Sequence, residues 1–344
     1  MYAIVPAGGI GSRLWPLSRR SSPKFLRDLE GRGRTMLQTT LDRLAPVSEG
    51  AVVVTGAAHA GAVTRQLEGT AAEVVAEPSP RDSMAAIGLA AAILHERHGD
   101  VIVGSFAADH AIADADAFRR AVRRAEAIAA TGKIVTIGIT PTSPSSAYGY
   151  IEAGRPLSAP LQGLEVVRFE EKPVAATAAA YLTTGRYLWN AGMFVMRSAV
   201  LLDVLEELHP EMHAGLARIA AAWDTDRRED VLGANWERLP KMVIDRAVAE
   251  PMADRGGVAV VPAEMGWTDI GDFDALADLA PAAPSLAIDS PDSYAQAAKP
   301  VVVVGIPGAV VVETEDTILV TTRAKAQDVK HAVDGLDGDL EALR

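Results

Sequence analysis

The segment Ala7-Gly8-Gly9-Ile10-Gly11-Ser12-Arg13 follows directly on the apolar run Tyr2 to Pro6. Glycines placed where a strand gives way to a turn let backbone N–H groups close around an anion, because no Cβ stands in the way. Arg13 and, further on, Lys24 bring two cations to the same turn. Together they can offset part of a triphosphate and the charge that develops as pyrophosphate leaves. Neither common phosphate motif accounts for this loop: a dinucleotide fingerprint needs a third glycine where Leu14 stands, and a P-loop needs Gly-Lys-Ser/Thr. Asp109 comes just after the apolar run Val101 to Phe106. On an open α/β sheet that is the ligand-binding edge, and a carboxylate there suits a hard cation such as Mg²⁺, or else a helix N-cap. His209 and His213 flank Glu211 in the order His-Pro-Glu-Met-His, which is not the spacing of a zinc protease.

The elements that must carry these residues alternate in kind. Tyr2 to Pro6, Ala51 to Thr55, Val74 to Ala76, Val101 to Phe106 and Ile134 to Ile139 read as buried strands. Between them Met36 to Leu44, Ala60 to Leu67, Met84 to Arg97 and Ala117 to Thr131 have apolar residues at helical spacing. The alternation predicts a doubly wound α/β domain with a mixed, mostly parallel sheet in a Rossmann-like three-layer arrangement. Further strands are expected at Tyr148 to Glu152, Leu164 to Glu170 and Gly192 to Arg197, with a helix at Ala175 to Thr184. The stretch Pro281 to Pro300 reads as a linker, and Val301 to Thr322 as short strands before a last helix. The expected division is a catalytic domain over residues 1–281 and a small β-rich domain over 282–344.

With 344 residues, 49% of them hydrophobic, the chain can bury a sizeable core. A net charge of −12 argues against a nucleic-acid or anionic-membrane partner, which would demand clustered Lys and Arg. Arg119, Arg120, Arg123 and Arg124 read instead as the solvated face of one helix. The chain has no Cys, which excludes disulfides and a thiolate nucleophile and fits a reducing compartment. No run approaches the roughly 18 apolar residues of a membrane span, so a cytoplasmic protein is expected.

Residues Ala7 to Lys24 (AGGIGSRLWPLSRRSSPK) resemble the signature of the sugar nucleotidyltransferases, and the core Leu14-Trp15-Pro16-Leu17-Ser18-Arg19 is similar to the mannose-1-phosphate guanylyltransferases. Further blocks continue the likeness along nearly the whole chain: Glu77 to Ile87 (EPSPRDSMAAI), Ala107 to Ile112 (AADHAI), Thr140 to Ile151 (TPTSPSSAYGYI), Phe169 to Pro173 (FEEKP), Trp189 to Phe194 (WNAGMF) and Gly266 to Phe273 (GWTDIGDF). The resemblance implies transfer of GMP from GTP to α-D-mannose 1-phosphate, giving GDP-mannose and pyrophosphate with Mg²⁺. It places Ala7, Gly8, Gly9, Gly11, Ser12, Arg13 and Lys24 on the phosphates, with Arg13, Lys24, Asp109 and Asp269 catalytic. Asp269 is implied as the second carboxylate on the metal and as a neighbour of the sugar phosphate. Glu171 would accept sugar hydroxyls, Lys172 would meet the sugar phosphate, Asn190 would bond a hydroxyl, and Gly149 would let its backbone approach the sugar.

Glu77, Arg81, Asp82 and Ser83 fall on the base and ribose side by the same resemblance. A carboxylate matches the paired N1–H and N2–H donors of guanine, so Glu77 or Asp82 is the expected base reader. Arg81-Asp82-Ser83-Met84 departs from the Arg-Asn-Thr-Ala usual in the family. The tail Val301 to Arg344 resembles the small C-terminal region that often mediates dimers in short guanylyltransferases, so a homodimer of single activity is expected. Competing readings are the same chemistry with a heptose or glucose phosphate or another nucleotide, a non-catalytic sugar-nucleotide sensor, and a nicotinamide oxidoreductase.

Overall fold

The Val- and Ile-rich runs become strands of one nine-stranded sheet in the computed structural model, which describes residues 1–343. In chain order the strands are β1 (Tyr2–Ala7), β2 (Gly50–Gly56), β3 (Glu73–Glu77), β4 (Ile102–Ser105), the two-residue β5 (Ala111–Ile112), β6 (Ile134–Ile139), β7 (Gly149–Pro156), β8 (Leu164–Glu170), β9 (Tyr187–Arg197), β10 (Val258–Ala263) and the two-residue β11 (Trp267–Thr268). Apart from β5 and β11 they order as β3-β2-β1-β4-β9-β6-β10-β8-β7, and β9 also pairs with β7. Seven strands run one way and β8 and β9 the other. Parallel neighbours such as β1 and β2, in register Ile4↔Val52, need crossover connections, and the helices supply them.

Helix Ala115–Ala129 buries Phe118, Ala121, Val122, Ala125, Ile128 and Ala129 along one stripe, and Asp114 caps its start by accepting from Ala117 N at 2.8 Å. Helix Asp82–His98 is Ala-rich and buried through most of its length, packed among Val52, Val75, Leu205 and Leu216. Gly88 lets this helix pack closely there: a Cβ would stand 2.7 Å from the end of the Leu216 side chain, which would have to shift.

Two compact units emerge. One comprises Met1–Gly8, Leu41–Ala107 and Ile112–Trp267 and holds the nine-stranded sheet. The other gathers Gly9–Thr40, Ala108–Ala111 and Thr268–Arg344. Its core is Leu14, Trp15, Leu17 and Met36 packed with Phe273, Tyr294, Val310, Val312, Leu319 and Val329.

The linker expected over Pro281 to Pro300 is corrected: it contains β12 (Leu286–Ile288) and β13 (Tyr294–Gln296). These pair in parallel with β14 (Val302–Val304) and β15 (Ala309–Glu313), and β15 pairs antiparallel with β16 (Ile318–Thr322). Strands of three residues cannot display a period, so only their parallel partners downstream reveal them. Strand β9 also begins at Tyr187 rather than near Gly192. Gly192 sits at φ +66° and the register against β6 shifts between Thr136 and Gly138, an irregularity that splits the apolar pattern.

Candidate active site

In the second unit the glycine loop turns on Lys24. Gly11 has φ +75°, and a Cβ there would lie 2.7 Å from Lys24 Cβ, so only glycine allows this approach. The Lys24 N–H donates to Ile10 O at 3.1 Å and the Leu14 N–H to Gly11 O at 2.9 Å. The first joins the glycine loop to the turn Lys24–Leu26, and the second closes the turn Ser12–Leu14 on itself. Lys24 is only 5% exposed, yet its ammonium is partnered: Nζ lies 3.0 Å from Asp109 Oδ2 and also donates to the backbone carbonyl of Asp269. A buried lysine needs such partners to stay charged. Burial alone would push the Asp109 carboxyl up. The charges of Lys24 and His110 and the Lys24 hydrogen bond outweigh it and hold the group below the usual carboxylate range.

Asp269 is presented by a strained turn. Ile270, fully buried and β-branched, takes φ +44°, and its N–H is fixed on Thr268 Oγ1 at 3.1 Å. A Cβ on Gly271 would come within 3.3 Å of the Asp269 carboxylate, and one on Gly9 within 3.8 Å of Asp109 Oδ2. The first contact is tight, so glycine at 271 leaves the Asp269 carboxylate room, whereas the second is ordinary van der Waals contact. Hard carboxylate oxygens are what a small divalent cation selects. No group of three or more His, Cys, Asp or Glu able to hold a metal occurs among the described residues. A cation here would take Asp109 and Asp269 from the chain and its other oxygens from phosphate and water. Arg13 is exposed on the same loop and makes no ion pair among the described residues, and Ser12 beside it is half-buried.

In the first unit four expected residues come together. Gly149 on β7 faces Asn190 on β9 in register, and a Cβ on Gly149 would stand 2.7 Å from Glu171 Oε2. Lys172 Nζ pairs with Glu171 Oε1 at 2.5 Å, from a backbone at φ +50° just before Pro173. Sequence reasoning missed Asp245. Asn190 Nδ2 donates to Asp245 Oδ1 at 2.5 Å, while Asn190 Oδ1 accepts from Thr136 Oγ1 at 3.2 Å and from Gly192 N at 3.0 Å. Asp245 opens a π-helical turn over Asp245–Ala249, a distortion common at functional sites. Burial, then the charge of Glu171, raises its carboxyl above the ordinary value. The available signal was an acid inside the apolar run Val243-Ile244-Asp245-Arg246-Ala247-Val248. Tyr148 packs against Trp189 and Trp267, with ring centroids 4.9 and 5.3 Å apart.

Also in this unit, Glu77 closes β3 only 9% exposed, with Oε1 lacking any hydrogen-bond partner among the described residues. Burial drives its pKa up to about 7. Arg81 is occupied within the chain: it donates to Leu239 O at 2.9 Å, to Glu237 O at 2.6 Å and to the Glu237 carboxylate. Ser83 Oγ accepts from Ile244 N at 3.0 Å. Asp82 sits at φ +59°, a conformation that Asn and Asp tolerate better than other side chains. Asp in place of the family's Asn therefore preserves the backbone turn. Ala7, at the end of β1, accepts the Thr55 hydroxyl at 2.7 Å and starts the loop through Gly8.

Residues 2–285 match the family model of the nucleotidyl transferases, and residues 285–336 match that of the mannose-phosphate isomerase/GMP-like β-helix domain. The chain is 38% identical to an Escherichia coli K12 protein named mannose-1-phosphate guanylyltransferase, covering 98% of this chain and 74% of the relative. It is 37% identical to the xanthan biosynthesis protein XanB of Xanthomonas campestris, covering 96% and 72%. A solved structure from Thermus thermophilus, described as a mannose-1-phosphate geranyltransferase, superposes with a TM-score of 0.85 at 30% identity over 98% of this chain and 99% of that one. Nucleotidyl transferases of this kind generally use a divalent metal. The chain belongs to the nucleotidyl transferase family, among the mannose-1-phosphate guanylyltransferases.

Proposed function

We propose that this enzyme transfers GMP from GTP to α-D-mannose 1-phosphate, forming GDP-mannose and pyrophosphate. The observation that carries the reading is the buried Lys24, held by Asp109 and the Asp269 carbonyl beneath a loop that only glycine permits. An oxygen of the sugar phosphate attacks the α-phosphorus in line, the bond from that phosphorus to the β-bridging oxygen breaks, and pyrophosphate leaves. Lys24 and Arg13 offset the charge that gathers on the leaving group, and the N–H groups of Gly8, Gly9, Gly11 and Ser12 orient the phosphates. Asp109 and Asp269 would hold Mg²⁺, which when bound supplies positive charge to the phosphates. No residue acts as a nucleophile, so the enzyme's task is to align two anions and cancel their repulsion.

In the sugar half Glu171 accepts hydroxyl donors, Lys172 meets the sugar phosphate and Asn190 donates to a hydroxyl, its amide aimed by Asp245. Gly149 leaves room for the sugar to approach the backbone. On the base side Glu77, ionised on binding, accepts the N1–H and N2–H of guanine. Arg81 and Ser83 hold the loop that carries Asp82. The catalytic domain is taken as residues 1–281 and the β-rich domain as 282–344. Exposed Val302, Val304, Ile318 and Val320 on that small domain favour a homodimer, which sedimentation across protein concentrations tests: a monomer at every concentration would refute it. No helix among the described residues is long and apolar enough to cross a membrane. A cytoplasmic location is consistent with a Cys-free chain that uses GTP. Pyrophosphate release from GTP and mannose 1-phosphate tests the reading, and product formed faster from another nucleotide or sugar phosphate would overturn it.

A further inference from the structure

The motif Trp15 to Arg19 lies between the glycine loop and Lys24, and none of its side chains has a part in the chemistry above. Their partners belong to the C-terminal region. The Arg19 guanidinium grips Asp316 with two bonds, Nη1 to Oδ2 at 2.6 Å and Nη2 to Oδ1 at 2.5 Å, and Nη2 also reaches Thr314 Oγ1 at 3.4 Å. Asp316 is fixed in turn by Thr314 Oγ1 at 3.0 Å, inside the tight turn closed by Thr314 N to Thr317 O at 2.9 Å. The Trp15 indole donates to Leu343 O at 2.7 Å, and Trp15 packs in the core with Val310, Val312, Leu319 and Val329. On its other side the motif is wired to the glycines. The buried Ser18 hydroxyl donates to Gly11 O, and the N–H groups of Leu17 and Ser18 both bond Leu14 O, at 2.9 and 3.2 Å. Arg19 Nε closes back on Pro16 O at 3.4 Å.

We infer that the hairpin turn between β15 and β16 is a positioning element of the phosphate loop: Asp316 and Thr314 hold Arg19, which keeps the turn from Gly11 to Ser18 in the shape that packs against Lys24. A cavity of about 480 Å³ lined in part by Leu17, Arg27 and Glu315 flanks the Arg19–Asp316 pair. The hairpin turn meets the motif there through the directed polar bonds from Arg19 to Asp316 and Thr314. A two-pronged guanidinium–carboxylate pair fixes direction as well as distance, which a single ammonium could not do. Asp316 is about half exposed, so the pair adds little to global stability and its effect is local.

The test compares the full-length protein with Asp316→Ala, Arg19→Ala and the double variant. Amide exchange of Leu14, Leu17 and Ser18 should quicken by about tenfold in Asp316→Ala, with the amides of β2 unchanged. This arm does not depend on the proposed reaction. The kinetic arm does: KM for GTP should rise about fivefold, KM for mannose 1-phosphate should stay within about twofold, and the double variant should be no worse than Arg19→Ala alone. Exchange at Leu14, Leu17 and Ser18 within about twofold of wild type overturns the inference, as do additive effects of the two substitutions. A wild-type protein inert toward GTP and mannose 1-phosphate would sink the proposed reaction instead, and the exchange result would still decide this one.

Discussion

Replacing Glu77 by Gln isolates what a buried carboxylate costs and what it does. Burial raises its pKa from 4.5 to about 7, and at 9% exposure solvent gives it little relief. A tenfold change in proton affinity corresponds to about 1.4 kcal/mol, so carrying the ionised form inside the folded protein costs on the order of 3 kcal/mol. The sign follows from proton uptake: between the unfolded value and about 7 the folded state holds the proton more tightly. The stability associated with neutral Glu77 is therefore full below pH 4.5 and is lost as pH rises toward about 7. Glu77→Gln carries no such loss. Urea denaturation of both proteins from pH 5 to 8 should show the variant drawing ahead as pH rises, with a gap of roughly 2–3 kcal/mol at the top. Its KM for GTP should rise about tenfold, because an amide presents a donor to one of the two guanine donors. A gap that stays constant with pH, or a GTP KM unchanged by the substitution, would refute the reasoning.

Three further substitutions probe the other groups. Lys24→Met keeps the buried volume and removes the cation bound to Asp109, so kcat should fall by about 10² to 10³ with a native circular dichroism spectrum; turnover near the wild-type rate would remove Lys24 from the mechanism. Gly149→Ala sets a Cβ 2.7 Å from Glu171 Oε2, which should raise KM for mannose 1-phosphate about tenfold while KM for GTP holds; equal movement of both would point to a general packing defect. Asp245→Asn weakens the acceptor that aims the Asn190 amide, so kcat/KM for mannose 1-phosphate should drop about tenfold, or about 1.4 kcal/mol. An unchanged kcat/KM would mean that Asn190 orients itself.

The sheet was legible because buried strands of five to seven residues, such as β1, β2 and β6, write themselves as unbroken apolar runs. The glycine loop was legible for a different reason: Gly11 has to be glycine to pass Lys24, and that demand is local in sequence. What the sequence hid is long-range assembly. The unit around Lys24 is drawn from three separate stretches, and nothing in the composition of residues 108–111 announces that Asp109 meets an ammonium from residue 24. Asp245 was hidden because its partner Asn190 lies 55 positions away and its turn is π-helical, which disturbs helical spacing. Arg81 and Arg19 show the opposite difficulty. Both lie in motifs suggestive of ligand binding, and their guanidinium groups bond Glu237 and Asp316 within the chain.

The measurement that bears most directly on the account is pyrophosphate release with Mg²⁺, scanning GTP, ATP, UTP, CTP and dTTP against mannose, glucose and heptose 1-phosphates, with the sugar nucleotide identified by mass. GTP with mannose 1-phosphate is expected to give the highest kcat/KM and GDP-mannose as product. Faster turnover of another pair, or no pyrophosphate from any, would contradict it.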